Sequence, residues 1–253
     1  MQVVILCGGS GTRLREQTEF VPKPMVQVGG KPMLWHIMSR YSHYGFNEFI
    51  LALGYKQEMI KTYFYNFDII NNDIRVSRDG VQVAGALSKW DVILCDTGPL
   101  TMKGGRLKKV EGYISGDNFM MTYGDGIADI DIGALVQFHL SHGRIATVAG
   151  VHPTPRFGEM HYAEDGRVTS FTEKPEDDNC LINGGFFVFR REIFEYLTDA
   201  PWCDLECGPL ELLAAKEQMM VYAHHGYWGC MDTMRDMEEL NQLWNNGEAK
   251  WKV

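Results

Sequence analysis

A glycine-rich turn, a proline-bracketed lysine and a glycine-flanked aspartate give this chain residue types and spacings suited to chemistry on an anion. The first is CGGSGTR, residues 7–13, where Gly8, Gly9, Ser10, Gly11, Thr12 and Arg13 follow directly on an apolar run. Glycines let the main chain approach a ligand closely with successive N–H groups facing inward, and such a nest prefers anionic oxygen, phosphate above all. Leu14 stands where the third glycine of a dinucleotide fingerprint belongs, and no Gly-Lys-Ser/Thr follows, so neither of those phosphate motifs is present. A tight turn that needs glycine only for its own geometry is the competing reading.

Further on, VPKPMV sets Lys23 between Pro22 and Pro24. The prolines stiffen an extended segment that can hold the ammonium near the loop at little entropic cost, although a solvated surface lysine fits the same letters. Arg13 and Lys23 together suit a triphosphate whose charge must be neutralised while one bond breaks. In TYGDGIAD, Asp125 lies between Gly124 and Gly126 just past a predicted buried strand, at the carboxyl edge where open α/β sheets bind ligands. Mg²⁺ is normally held by one or two carboxylates plus substrate phosphates, which makes Asp125 a candidate anchor. Asp129 and Asp131 read instead as a turn residue and a helix N-cap.

These residues need a scaffold, and the apolar pattern predicts one. QVVILC (2–7), EFILALGY (48–55), DVILCDTG (91–98), FMMTYGDG (119–126) and IATVAGVH (145–152) read as buried strands. Between them, PMLWHIMSRYSHYG (32–45) and KQEMIKTYFYNF (56–67) have helical period, with further helices expected over 104–115 and 131–143. Strand and helix in alternation mean parallel βαβ units and a Rossmann-like, doubly wound α/β sheet over the first ~150 residues. After residue 152, HYAEDGRVTSFTEKP reads as two short strands around a turn at Asp165–Gly166, and NGGFFVFRREIFEYL as a strand feeding a helix. A last helix is expected around 233–246. With no linker between the parts, one continuous mixed sheet carrying a C-terminal substrate-binding lobe is expected.

At 253 residues and 45% hydrophobic, the chain can bury a full core. A formal charge of −9 without a basic stripe argues against a duplex-binding role, and no nucleic-acid partner is expected, although an acidic protein can still carry a locally basic pocket. Six scattered cysteines (Cys7, Cys95, Cys180, Cys203, Cys207, Cys230) lack the spacing of a disulfide framework. A zinc module built from Cys203, Cys207, His224, His225 and Cys230 lacks a matched second pair. Residues 1–7 lack the charged start of a signal peptide, and no apolar run approaches a membrane span. A cytoplasmic protein without a membrane partner is expected. The aromatics of Tyr63–Phe67 and the pair Met219, Met220 read as core packing.

Taken in order, LCGGSGTRL, VPKPMV, GGKPMLWHIM, DTG with GGRLKKV, TYGDGIAD, RFGEM, FTEKP, NGGFFVF and MDTMRD resemble the sugar-1-phosphate nucleotidyltransferases, over nearly the whole chain. Within that family the resemblance is to the members that join CTP and glucose 1-phosphate into CDP-glucose and pyrophosphate, for lipopolysaccharide O-antigen sugars. It implies a single domain over 1–253, with 1–150 as the nucleotide-binding part and 151–253 as the sugar-phosphate-binding lobe. Leu6, Gly8, Gly9, Ser10, Gly11, Thr12 and Arg13 would cradle base and phosphates, and Lys23 would meet phosphate in the transition state. Thr101 and Arg106 fall in the cytidine-binding segment, where DTGPLTMKGGR offers Thr97 as well as Thr101. Gly124 would lie beside the ribose, and Asp125 with Asp232 would hold Mg²⁺. Glu173, Lys174, Asn183 and Gly184 would line the sugar-phosphate pocket. A homo-oligomer is implied, with the loosely matching segment 75–90 at subunit contacts.

An anionic sugar phosphate needs no protein nucleophile, so Arg13, Lys23 and Asp125 carry the catalytic expectation, by in-line displacement with inversion at phosphorus. The chain departs from its relatives at Gly208, where an acid is usual before Pro209, and at Gly229–Cys230, where Gln-Pro is usual. Both lie on the sugar side. UTP or dTTP as donor, or another phosphomonoester as acceptor for CTP, therefore stay open, as does a non-catalytic sugar-nucleotide-binding protein of the same fold.

Overall fold

A computed structural model of the chain describes residues 1–84, 88–152, 159–172 and 181–253. Its centre is a seven-stranded sheet: β1 (Val3–Cys7), β2 (Glu48–Leu53), β3 (Asp91–Asp96), β4 (Asn118–Tyr123), β5 (Ala146–Val151), β6 (Ile182–Arg190) and β7 (Met219–His224). The order across the sheet is β7-β5-β6-β4-β1-β2-β3. All neighbours run parallel except β6, which is antiparallel to β4 and β5 on either side. Every residue of β1 is buried, as expected of a central parallel strand whose two faces are both covered.

The alternation of side chains along β1 divides the core in two. Val3, Ile5 and Cys7 face α1 (Met33–His43), α4 (Ile132–His142) and α5 (Met234–Asn245), through Leu34, Ile37, Tyr41, Leu135 and Leu240. Val4 and Leu6 face α3 (Lys103–Lys109) and a 3₁₀ segment, Arg191–Tyr196, through Leu107, Ile193 and Phe194. Ile60 of a further helix, α2 (Gln57–Tyr65), joins the first layer. Burial of such side chains stabilises by about 1.5–3 kcal/mol each, which holds the carboxyl ends of β1 and β4 side by side.

The expected alternation is present, with differences at the ends of elements. The helix expected over 104–115 stops at Lys109 and continues as a 3₁₀ turn, Glu111–Tyr113, where Gly112 falls inside the expected run and disfavours helix. The strands around Asp165–Gly166 form a hairpin of their own, Glu159–Tyr162 with Val168–Thr172, outside the main sheet. A second hairpin, Asp73–Ser77 with Gly80–Ala84, occupies part of the loosely matching segment. Met219 and Met220 belong to β7, a sheet-edge strand; Met219 packs against the second core layer as expected, while Met220 is exposed. No helix among the described residues is long and apolar enough to cross a membrane.

Candidate active site

The cleft opens where β1 and β4 end, and its floor is the glycine loop. The Gly8 carbonyl accepts from the Tyr55 N–H at 3.2 Å and from Arg106 Nη2 at 2.9 Å. A Cβ at Gly8 would stand 2.1 Å from the Arg106 guanidinium carbon, so only glycine lets this arginine lie under the loop. Gly11 has φ +62°, and its carbonyl accepts from the Leu14 N–H at 2.9 Å and the Thr18 hydroxyl at 3.0 Å. Left-handed backbone of that kind favours glycine.

Pro22, at φ −66° and ψ 147°, delivers Lys23 into a 3₁₀ turn, Lys23–Met25. The side chain is nearly buried, and Nζ donates to Asp125 Oδ2 at 2.7 Å and to Asp232 Oδ1 at 2.6 Å. Burial works to lower the Lys23 pKa, but the two carboxylates outweigh it and the net displacement is upward. Asp232 moves the other way: burial pushes its carboxyl up, and Lys23 with Arg13 pulls it below the ordinary carboxylate range. Arg13 reaches Asp232 at 2.8 Å while most of its side chain stays exposed, free to turn toward a ligand.

The two aspartates lie far apart in sequence, and a three-residue ladder joins them. Trp228–Cys230 pairs antiparallel with Gly126–Ala128, putting Cys230 opposite Gly126. The Met231 N–H then donates to the Asp125 carbonyl at 2.9 Å. Immediately afterwards Thr233 caps α5 in a capping box whose Asp236 carboxylate accepts from the N–H groups of Asp232 at 3.0 Å and Thr233 at 2.8 Å. Asp232 is thereby fixed at both its neighbours.

Asp125, Asp232 and Cys230 each offer a ligand atom, all within 4.8 Å of one another. Donors so spaced can converge on one divalent ion, given metal–ligand distances of about 2.0–2.6 Å. Two carboxylates with open positions for phosphate and water are also the right chemistry for magnesium. The residues fit a divalent cation, and the Lys23 ammonium bridges the two carboxylates.

Opposite the carboxylates, Arg106 is buried, with Nη1 donating to Leu53 O, Thr97 Oγ1 and Gly98 O at 2.6–3.0 Å, and Nη2 to Gly8 O and Pro99 O. Thr101 lines the cleft and donates to the Thr97 carbonyl at 2.6 Å, while Thr97 lies beneath, donating to Leu53 O. Tyr123, at the end of β4, donates to Glu206 Oε1 at 2.7 Å and accepts from Asn183 Nδ2 at 3.2 Å. Lys103 pairs with the same carboxylate and lies over the Tyr123 ring. A Cβ on Gly184 would meet Val151 at 2.7 Å, and the Gly184 carbonyl accepts from the Trp228 indole at 2.8 Å. The cleft so enclosed has a volume of about 550 Å³.

The nucleotidyl transferase family model matches residues 2–244. The chain belongs to that family. It is 45% identical over 257 residues to the glucose-1-phosphate cytidylyltransferase of Salmonella typhimurium, covering 100% of this chain and 99% of the relative. It is also 42% identical over 255 residues to the probable glucose-1-phosphate cytidylyltransferase of Bacillus subtilis, covering 100% of both. Among solved structures it resembles HddC from Yersinia pseudotuberculosis at a TM-score of 0.69 and 26% identity, covering 96% of this chain and 99% of that one.

In this nucleotidyl transferase the cleft brings together Leu6, Gly8, Gly9, Gly11, Thr12, Arg13 and Lys23 with Thr101, Arg106, Gly124, Asp125, Asn183, Gly184 and Asp232. Ser10 is exposed and does not line it. Glu173 and Lys174 lie outside the described residues. Sequence reasoning missed Met102, Lys103, Tyr123, Asp204, Trp228 and Cys230 as lining residues. Lys103 and Trp228 lie just before GGRLKKV and MDTMRD, outside the segments that carry the family resemblance, and neither has a spacing that announces a role. The cysteines and histidines of the zinc alternative do not assemble: among the described residues, the one three-ligand group holds Cys230 with the two aspartates.

Proposed function

We propose that the chain is a cytidylyltransferase that joins CTP and α-D-glucose 1-phosphate into CDP-glucose and pyrophosphate. The observation that carries this reading is the cluster of Lys23, Arg13, Asp125 and Asp232 at the mouth of the glycine loop, in a chain 42–45% identical over its full length to proteins named for that reaction. Loop N–H groups of residues 8–13 orient the triphosphate. Lys23 and Arg13 meet the charge that grows on the leaving pyrophosphate, which is where fixed cations speed a displacement. Asp125 and Asp232 would hold Mg²⁺, which when bound neutralises phosphate charge and helps align both substrates.

The sugar phosphate attacks as an anion, so no side chain has to remove a proton from it. Asn183 and Gly184, with Glu173 and Lys174, hold it in line with the α-phosphorus, and the configuration there inverts. Thr101 and Arg106 shape the base side. Arg106 holds the carbonyls of Gly8, Leu53, Gly98 and Pro99 and so fixes the backbone on that side.

Residues 1–150 supply the nucleotide side and 151–253 the sugar side, apart from Asp232, which crosses to Asp125. The enzyme is cytoplasmic and homo-oligomeric; Val76 and Val81, exposed on the hairpin Asp73–Ser77/Gly80–Ala84, are the apolar surface offered to a second copy. Incubation with CTP, glucose 1-phosphate and Mg²⁺ should yield CDP-glucose by mass spectrometry and an equal amount of pyrophosphate. Absence of both products refutes the reaction.

A further inference from the structure

Cys230 is the third donor of the carboxylate pair and plays no part in the chemistry above. It is half-buried on the short strand Trp228–Cys230, whose ladder with Gly126–Ala128 also places Asp125, and it precedes Asp232 by two residues. Its Sγ lies within 4.8 Å of ligand oxygens on both aspartates. Cys230 ends its strand, Asp232 follows two residues on, and the Met231 N–H to Asp125 carbonyl bond between them holds this turn against Asp125. The sulfur therefore faces the space that Lys23 Nζ now fills.

We propose that Cys230 is a metal ligand, so that the Asp125/Asp232 site takes thiophilic divalent ions such as cobalt(II), zinc(II) or cadmium(II) through one sulfur and two carboxylate oxygens. Magnesium, a hard cation, uses the carboxylates alone, because thiolate sulfur is a soft donor that it does not favour. A softer ion gains the additional bond: the S–H bond is replaced by a sulfur–metal bond and the proton leaves to buffer, with no change of oxidation state. Two carboxylates and a thiolate then face one divalent ion, beside the Lys23 ammonium and the Arg13 guanidinium that pairs with Asp232. Thiophilic ions consequently bind this protein without nucleotide.

The inference rests on the reading of Asp125 and Asp232 as cation ligands, and its test separates the two. Metal-free, nucleotide-free, full-length protein is titrated with cobalt(II), following bound metal by equilibrium dialysis and the sulfur-to-cobalt charge-transfer band by near-ultraviolet absorption. One cobalt per chain with that band is expected in the parent and in Cys207→Ser, an exposed thiol elsewhere. The band should be lost in Cys230→Ser and in Cys230→Ala, and both band and bound cobalt lost in Asp232→Asn. Circular dichroism and thermal melting identify any variant that has not folded, and the two Cys230 replacements guard against failure of one. Cobalt bound with Asp232 dependence but without the band overturns the role of Cys230 and leaves the carboxylate site standing. A band that survives in Cys230→Ser also overturns it, and so does a parent that binds no cobalt without nucleotide; turnover of Asp125→Asn and Asp232→Asn with Mg²⁺ then tests the carboxylate reading by itself.

Discussion

Lys23 joins the two carboxylates of the cleft. With Nζ at 2.7 Å from Asp125 and 2.6 Å from Asp232, the ammonium offsets the charge of both carboxylates that the proposed reaction assigns to a cation. Lys23→Met should therefore tighten Mn²⁺ binding to the nucleotide-free protein by roughly tenfold, as read by electron paramagnetic resonance. The same variant should lower the turnover number at saturating substrates by about 100-fold, because the charge it stabilises grows in the transition state. A higher KM with unchanged turnover would assign Lys23 to binding alone. Asp125→Asn and Asp232→Asn should each remove most of the turnover while the far-ultraviolet spectrum stays native. Arg106 is different in kind. Its removal orphans a set of buried carbonyls, so Arg106→Leu should cost about 3 kcal/mol in urea unfolding and loosen the glycine loop, raising the KM for nucleotide.

Elements place these residues, and two of them give measurable consequences. The capping box of α5 holds the Asp232 backbone, so Thr233→Ala should lower stability by about 1 kcal/mol and turnover along with it. At the opposite end of the sheet, His139 on α4 is buried, with Nε2 3.1 Å from Asn118 Oδ1 and Nδ1 2.8 Å from Thr147 Oγ1. His142 Nε2 also reaches Thr147 Oγ1 at 2.8 Å, and its Nδ1 accepts from the Arg144 N–H at 3.0 Å. Every proton finds one acceptor only if both imidazoles are neutral. Burial, with His142 and Arg190 nearby, pushes the His139 pKa down from 6.5 to about 4. Above pH 6.5 the folded and unfolded states are equally deprotonated here. As the pH falls from 6.5 toward 4 the unfolded chain takes up the proton first, and stability drops by on the order of 3 kcal/mol. Chemical unfolding across that range, flat in His139→Gln by comparison, checks it.

The sheet was legible because β1, β2 and β4 are apolar enough to leave no alternative to burial, and α1 and α4 carry a clear helical period. The glycine loop, Lys23 and Asp125 were legible for a related reason: glycine and proline announce unusual backbone, and a charge beside them has a purpose. The junction of Asp125 with Asp232 was not. Strands of three residues carry no period, so nothing in Gly126–Ala128 or Trp228–Cys230 foretells their pairing, and Asp232 entered through resemblance. Tyr123 and Lys103 escaped because their partner, Glu206, sits in an irregular turn where Gly208 adopts φ +107°. That conformation gives the glycine before Pro209 a physical reason. At the scale of the whole molecule, light scattering should give a multiple of the 28.8 kDa chain mass, and Val76→Lys with Val81→Lys should reduce it to one chain, because charge in an apolar contact is unpaired.

The most direct measurement is pyrophosphate release with glucose 1-phosphate and Mg²⁺ for CTP, UTP, dTTP and ATP in turn, compared as kcat/KM. Cytosine and uracil differ chiefly in an amino donor against a carbonyl acceptor, and leaving one buried polar atom unpaired costs about 1–3 kcal/mol. CTP should therefore exceed UTP by roughly tenfold or more, with dTTP and ATP lower still. Equal kcat/KM for CTP and UTP would contradict the assignment.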